Sequence, residues 1–214
     1  VDLDAAPRLQ QRRSTRWDTQ RPLRRILWEQ AALPLLARQA RLDLLHGAVN
    51  INPALTPCPT VVTVHDLSFM RTPQAFPPMQ RAYLQSQVWR SVRAARRVIA
   101  VSQATKQDLI ELFKAPAERI DVVYNGVDAS FSPAPAAEVE VFRRRAGLPE
   151  RFILHLGTLE PRKNLVRLVQ AFAQVKAHDT GQPPVKLVLA GGKGWSYDAI
   201  FAEVGRLGLE QEVL

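Results

Sequence analysis

Six short apolar runs, each closed by turn residues or by a segment with helical spacing, constrain this chain more than any other feature. They are Leu42 to His46, Thr60 to Val64, Val98 to Val101, Ile120 to Tyr124, Phe152 to Leu156 and Leu187 to Ala190. Strands of this length that lack polar alternation are buried on both faces, and long connections between them favour parallel pairing through crossover helices. The connections supply those helices: Pro78 to Arg96, Ala104 to Phe113 behind Ser102 as N-cap, and a segment from Leu165 in which Leu168, Val169, Phe172 and Val175 share one face. An earlier helix, Leu23 to Ala40, is expected to kink at Pro34; a proline-rich loop runs through Pro73, Pro77 and Pro78, and Asn125-Gly126 reads as a turn. The rhythm predicts an α/β fold built on doubly wound parallel sheets.

The pattern breaks between Asp128 and Ala137, where Ser132, Pro133, Ala134 and Pro135 carry little apolar periodicity. This divides the chain into a first domain over 1–127, a linker with a short helix over 128–150, and a second domain over 151–214. In the second, Tyr197, Ile200, Phe201, Val204 and Leu207 mark a helix face, Gly208 is its stop, and Glu212-Val213-Leu214 begins a further strand. Two clear strands are too few for a full core, and Val1 is not an initiator methionine, so a fragment of a longer protein is expected.

Chemistry concentrates where the fifth run ends. Phe152-Ile153-Leu154-His155-Leu156 is followed by Gly157-Thr158-Leu159-Glu160-Pro161-Arg162-Lys163-Asn164 and then by the helix from Leu165. Ligands of open parallel sheets collect at the carboxyl ends of strands, a glycine there lets anionic oxygens approach the backbone, and a helix N-terminus favours negative charge. Arg162 and Lys163 oppose the helix dipole, a mildly unfavourable placement that a bound phosphate reverses. Gly191-Gly192-Lys193-Gly194 follows the sixth run in the same way. It has neither the G-x-G-x-x-G spacing of a dinucleotide fingerprint nor the Ser or Thr that a P-loop places after its lysine.

The block GTLEPRKN, the later LVLAGGKGW, and the sequence YNGVD with its following FSP resemble the donor half and interdomain hinge of glycosyltransferase family 4. The resemblance implies the GT-B architecture, two Rossmann-like domains facing each other across a cleft, here an incomplete N-terminal (acceptor-side) domain and the start of the C-terminal (donor) domain. It implies that Gly157, Arg162 and Lys163 bind the diphosphate of a nucleotide sugar and that Gly191 and Gly192 lie on the nucleotide side, although a plain strand-to-helix turn also accounts for that loop. It implies a catalytic role for His65, touching the transferred sugar or the acceptor; a histidine satisfied by its neighbouring loop is the alternative. The family's acidic motif would lie beyond Leu214. The implied reaction is retaining transfer of a hexose to a glycan or lipid-linked acceptor, with GDP-mannose the first donor expected and neither metal nor cofactor required. A non-catalytic nucleotide-sugar-binding or assembly module is the alternative.

Bulk properties fit this class. A hydrophobic fraction of 46% excludes intrinsic disorder, and the single cysteine, Cys58, excludes an intramolecular disulfide or a multi-cysteine metal site. The formal charge of +9 is largely arginine, in Arg8, Arg12, Arg13, Arg16, Arg21, Arg24 and Arg25 and again in Arg81, Arg90, Arg93, Arg96 and Arg97, with Arg90, Arg93 and Arg97 expected on one helix face. A solvated basic surface and peripheral contact with anionic lipid both account for it. Nucleic acid does not fit as a partner, because aromatics do not interleave with the basic residues. With no signal-peptide pattern and no spanning segment read, a cytoplasmic location at the inner membrane face is expected.

Overall fold

The computed structural model describes Asp18 and residues 21–214, so Arg8, Arg12, Arg13 and Arg16 lie outside the described residues. The chain forms two compact units, Val1–Ser130 and Phe131–Leu214.

Among the described residues, the first unit begins with α1 (Pro22–Leu27), a π-helical turn over Trp28–Ala32 and α2 (Leu33–Gln39). Pro34 has no N–H and its ring would strike the carbonyl one turn back. The helix accommodates this by widening just before the proline, where the Leu33 N–H bonds to the Trp28 carbonyl. There follow β1 (Leu45–Gly47), β2 (Thr60–Val64), α3 (Ser68–Arg71), α4 (Pro78–Ala94), β3 (Arg97–Ala100), α5 (Gln103–Phe113) and β4 (Ile120–Val122). The strands pair in parallel in the order β1-β2-β3-β4, so the described strands step in one direction, as in one half of a doubly wound sheet. Val62, Val64, Val98, Ala100 and Ile120 from the strands interlock with Val88, Val92, Leu109 and Phe113 from α4 and α5. The expected N-cap is present: the Thr105 N–H donates to Ser102 Oγ at 3.1 Å.

Three expectations change here. The proline-rich loop contains α3 and a 3₁₀ turn at Pro73–Ala75. Asn125-Gly126 makes no turn; the chain runs on irregularly and turns at residues 129–130. The basic face of α4 does not form, because α4 ends at Ala94 and Arg97 opens β3, where its guanidinium pairs with Asp121 at 2.9 Å. Arg90 instead donates to the Asn52 carbonyl at 3.1 Å, and Arg93 lies 4.9 Å over the Trp89 ring.

The second unit holds α6 (Ala136–Arg145), β5 (Phe152–Leu156), α7 (Leu165–His178), β6 (Lys186–Ala190) and α8 (Asp198–Arg206). β5 and β6 are parallel, and the chain end lies along β6, with Leu187 N–H to Glu212 O at 2.9 Å and Leu189 N–H to Leu214 O at 2.8 Å. Leu165, Val169 and Phe172 of α7 and Ile200 and Val204 of α8 pack with Leu187 into a core on one face of this sheet. Val175, expected on the buried face of α7, is 48% exposed, as is Phe201 of α8 at 51%. The other sheet face is open, with Leu154 54% and Leu156 79% exposed. Gly208, at φ +63°, ends α8 as expected. Asp179, which follows α7, ties the α7–β6 connection: its carboxylate pairs with Arg151 at 2.9 Å and accepts the Val185 N–H at 2.8 Å. Among the described residues no helix is long and apolar enough to cross a membrane.

Candidate functional site

The β5–β6 ladder does not stop at the strand ends. Gly157 N–H bonds to Ala190 O at 2.9 Å, Leu159 N–H to Gly192 O at 2.9 Å, and Gly194 N–H to Leu159 O at 3.0 Å, so the loops after the two strands zip together. This zipper gives the glycines different reasons for being there. A Cβ on Gly191 would lie 1.9 Å from Gly157 O, and one on Gly194 would lie 2.8 Å from Leu159 O, so both permit backbone-to-backbone packing. Gly192 faces open space, and Gly157 needs its φ of +155°, which L side chains rarely adopt. Close loop packing therefore accounts for Gly191 without any nucleotide.

Arg162 and Lys163 lie not in α7 but in a 3₁₀ turn, Pro161–Lys163, ahead of it. Asn164, at φ +53°, is the N-cap residue of α7, and its side chain makes no capping hydrogen bond. The two cations have different surroundings. The Arg162 guanidinium folds back onto Glu160, with Nε and Nη2 at 3.0 and 2.8 Å from Oε1, and the Glu160 side chain is only 7% exposed. Lys163 is exposed and pairs with no carboxylate among the described residues. Lys193, bridged to Leu159 across the zipper, holds its ammonium 5.1 and 5.6 Å from the Tyr197 and Phe201 ring centroids. The zipped loops thus carry one neutralised arginine and two ammonium groups with no carboxylate partner among the described residues. Beneath Gly157, the buried His155 Nε2 has no hydrogen-bond partner.

His65 belongs to the first unit and follows the last residue of β2. Its N–H donates to Asn50 Oδ1 at 2.8 Å, its carbonyl accepts the Thr105 hydroxyl at 3.1 Å, and its Nε2 lies 2.9 Å from Ala48 O. The carboxyl ends of β1, β2 and β3 thereby bring Asn50, His65 and Thr105 together. Asp66 caps the start of α3, its Oδ1 accepting the Ser68 N–H at 2.9 Å and the Ser68 hydroxyl at 2.6 Å. The structure gathers Gly157, Arg162, Lys163, Gly191 and Gly192 at one strand end of the second unit. Sequence reasoning missed Glu160 as the partner of Arg162 and Asn50 as the partner of His65. The cluster Gly47, Asn50, Asn52, Pro53 between two strands was the available signal for the second. Among the described residues no three His, Cys, Asp or Glu side chains group so as to hold a metal ion.

Comparison with known proteins agrees with this architecture. A family model for Glycosyltransferase Family 4 matches residues 2–131, and one for Glycosyl transferases group 1 matches residues 138–214. The chain belongs to Glycosyltransferase Family 4, and its fold is of the GT-B type. It is 29% identical over 147 residues to O-antigen chain mannosyltransferase B of Escherichia coli, a match covering 68% of this chain and 38% of that protein. It is 43% identical over 75 residues to D-inositol 3-phosphate glycosyltransferase of Thermobispora bispora, covering 34% of this chain and 17% of the relative. Among solved structures it resembles HepE of Anabaena in complex with UDP and glucose, with a TM-score of 0.63 and 24% identity, covering 88% of this chain and 52% of that one. The chain thus spans well under two thirds of the length of these relatives.

Proposed function

We propose that the protein transfers a hexose from a nucleotide-diphosphate sugar to a glycan or lipid-linked acceptor, with retention at the anomeric carbon. The observation that carries this is the zipped loop pair after β5 and β6, where the exposed Lys163 stands ahead of a helix N-terminus whose cap side chain makes no hydrogen bond. As the bond from the anomeric carbon to the diphosphate breaks, negative charge builds on the departing phosphate, and fixed positive charge lowers that barrier. The acceptor oxygen takes over the anomeric carbon, and its proton leaves on the departing phosphate. His65 is assigned to the sugar or acceptor side.

Mannose is the first sugar to test, supported by the mannosyltransferase relative from Escherichia coli. The Anabaena structure was solved with UDP and glucose, so uridine donors belong in the same panel. Peripheral contact with anionic lipid is supported by Leu23 and Leu27, 77% and 59% exposed beside Arg21, Arg24 and Arg25, whose charges Asp18 and Glu29 offset in part.

The test is a panel of GDP- and UDP-sugars, with binding by calorimetry and turnover by release of the nucleoside diphosphate. Saturable binding with turnover supports the transferase. Binding without turnover in the intact protein assigns it to a non-catalytic nucleotide-sugar module, and no binding removes the donor assignment.

A further inference from the structure

The loop between β1 and β2 is built more tightly than a connection needs. Gly47 admits no side chain, because a Cβ there would lie 1.9 Å from Asn52 Oδ1 and 2.9 Å from Ile51 O. Asn52 is 2% exposed and anchors the loop to α4, taking the Ser91 hydroxyl oxygen at 2.9 Å with its N–H and the Arg90 guanidinium at 3.1 Å with its carbonyl. Asn50 anchors the loop to β2. Its N–H donates to Thr63 O at 2.8 Å, and its φ of +58° is a left-handed conformation that asparagine tolerates better than other residues with a side chain. What this anchored loop presents to the end of β2 is two acceptors, Asn50 Oδ1 and Ala48 O, and both are used by His65.

We propose that Asn50 is a positioning residue: with the Ala48 carbonyl, it holds His65 so that Nε2 carries the ring proton and Nδ1 is left as a bare acceptor for a sugar hydroxyl. A carbonyl oxygen only accepts, so the 2.9 Å contact requires hydrogen on Nε2. In the neutral ring, Nδ1 then carries the lone pair. The backbone of His65 is tied on one side to Asn50 and on the other to Thr105, which fixes the point from which the ring reaches the Ala48 carbonyl. The chemistry this selects is specific. A hydroxyl has a hydrogen to give to Nδ1; a fully ionised phosphate has none and meets the lone pair repulsively. His65 therefore discriminates for a sugar hydroxyl, while the diphosphate belongs with the ammonium groups of the other unit. The functional part of this inference rests on the placement of His65 at the sugar-transfer site; the clamp does not.

The clamp is tested without turnover by long-range proton–nitrogen NMR on protein carrying ¹⁵N-histidine, with His65 identified among the four histidines by the His65→Gln spectrum. The wild type is expected to show the Nε2–H form. Asn50→Gly retains access to the left-handed turn but loses the acceptor, and should mix the two tautomers and speed exchange of the His65 amide by roughly fivefold. Asn50→Asp keeps Oδ1 and should restore both readouts. A dominant Nδ1–H form in the wild type, or an Asn50→Gly protein with unchanged tautomer and amide exchange, overturns the proposal. With a donor identified, Asn50→Gly is expected to lower kcat more than it raises the donor KM. If the NMR results hold and His65→Ala transfers sugar at the wild-type rate, the hydroxyl-reading role is overturned.

Discussion

Two adjacent cations precede α7, and their environments predict responses of different extent to one further substitution, Glu160→Gln. Lys163 carries a charge that no described carboxylate offsets, so on the proposed donor binding Lys163→Ala should remove a charge-assisted contact to the diphosphate worth about 1.5 to 3 kcal/mol. That is roughly a tenfold to hundredfold rise in Kd for GDP or UDP by titration calorimetry. Arg162→Ala acts differently, because it strands the Glu160 carboxylate, whose side chain is only 7% exposed, beside the incoming anion. Losing one partner of a fully buried pair costs about 3 to 5 kcal/mol of folding stability, but the Arg162 side chain is 33% exposed and solvent screens much of this, so a stability loss of about 1 to 2 kcal/mol is expected alongside weaker anion binding. Adding Glu160→Gln removes the stranded charge and should return nucleotide affinity to near the wild-type value. Combined with Lys163→Ala, the same substitution cannot replace the ammonium and, by freeing Arg162, restores only part of the affinity. If Glu160→Gln/Arg162→Ala binds as weakly as Arg162→Ala, Arg162 touches the diphosphate directly and the reasoning from its ion pair fails. If Lys163→Ala binds like the wild type, the loop is not a diphosphate site.

The zipper makes a second prediction: Gly191→Ala drives a Cβ into Gly157 O and should lower stability by about 1 to 3 kcal/mol, whereas Gly192→Ala, which meets nothing within 4 Å, should melt like the wild type. Equal melting of the two variants would contradict the close loop packing. In the core of the second unit, Val169→Ala, at a side chain with no exposure, should cost about 1 to 3 kcal/mol in denaturant unfolding, and a loss below a few tenths would contradict its burial. Acid stability follows from Asp179, which Arg151 and the Val185 N–H hold at about 2 instead of 3.8. A depressed folded-state value contributes stability that is complete above the unfolded value near 4 and is lost as pH falls toward 2. Melting curves of Asp179→Asn should therefore lie below the wild type at neutral pH and converge on it in acid; a gap independent of pH would rule out the linkage. For lipid contact, sedimentation with phosphatidylserine vesicles but not phosphatidylcholine vesicles is expected, and Leu27→Asp should weaken it; indifference to headgroup charge would count against the basic helix.

Much of the fold was legible because its signals are local. The strands Thr60–Val64 and Phe152–Leu156 fall where the apolar runs place them, since a β-branched or aliphatic run bounded by turn residues has few other homes in a parallel sheet. The misreadings occurred where a local rule met a tertiary demand. Arg97 follows Arg93 at helical spacing, yet it opens β3 because Ala95, fully buried, already belongs to the turn into that strand. Val175 extends the apolar stripe of α7 but is half exposed and outside the core cluster, so the periodicity outruns the core it serves.

The site was legible in its residue types but not in its pairings. Pro161-Arg162-Lys163 reads as two equivalent cations because sequence cannot show which one has a carboxylate partner. Glu160 settles it: fixed just ahead of the turn, with its carbonyl accepting the Lys163 N–H, it takes the guanidinium and leaves the ammonium to solvent. The same division governs the other unit. His65 and Asp66 are adjacent and invite reading as a histidine–carboxylate pair, but successive residues leaving a strand point apart. Asp66 turns to Ser68 and the ring of His65 finds a carbonyl seventeen residues back. In both units the group left for a ligand is the one whose neighbour has already been claimed. Nucleotide affinity should therefore be more sensitive to Lys163 than to Arg162, and hydroxyl recognition more sensitive to Asn50 than to Asp66.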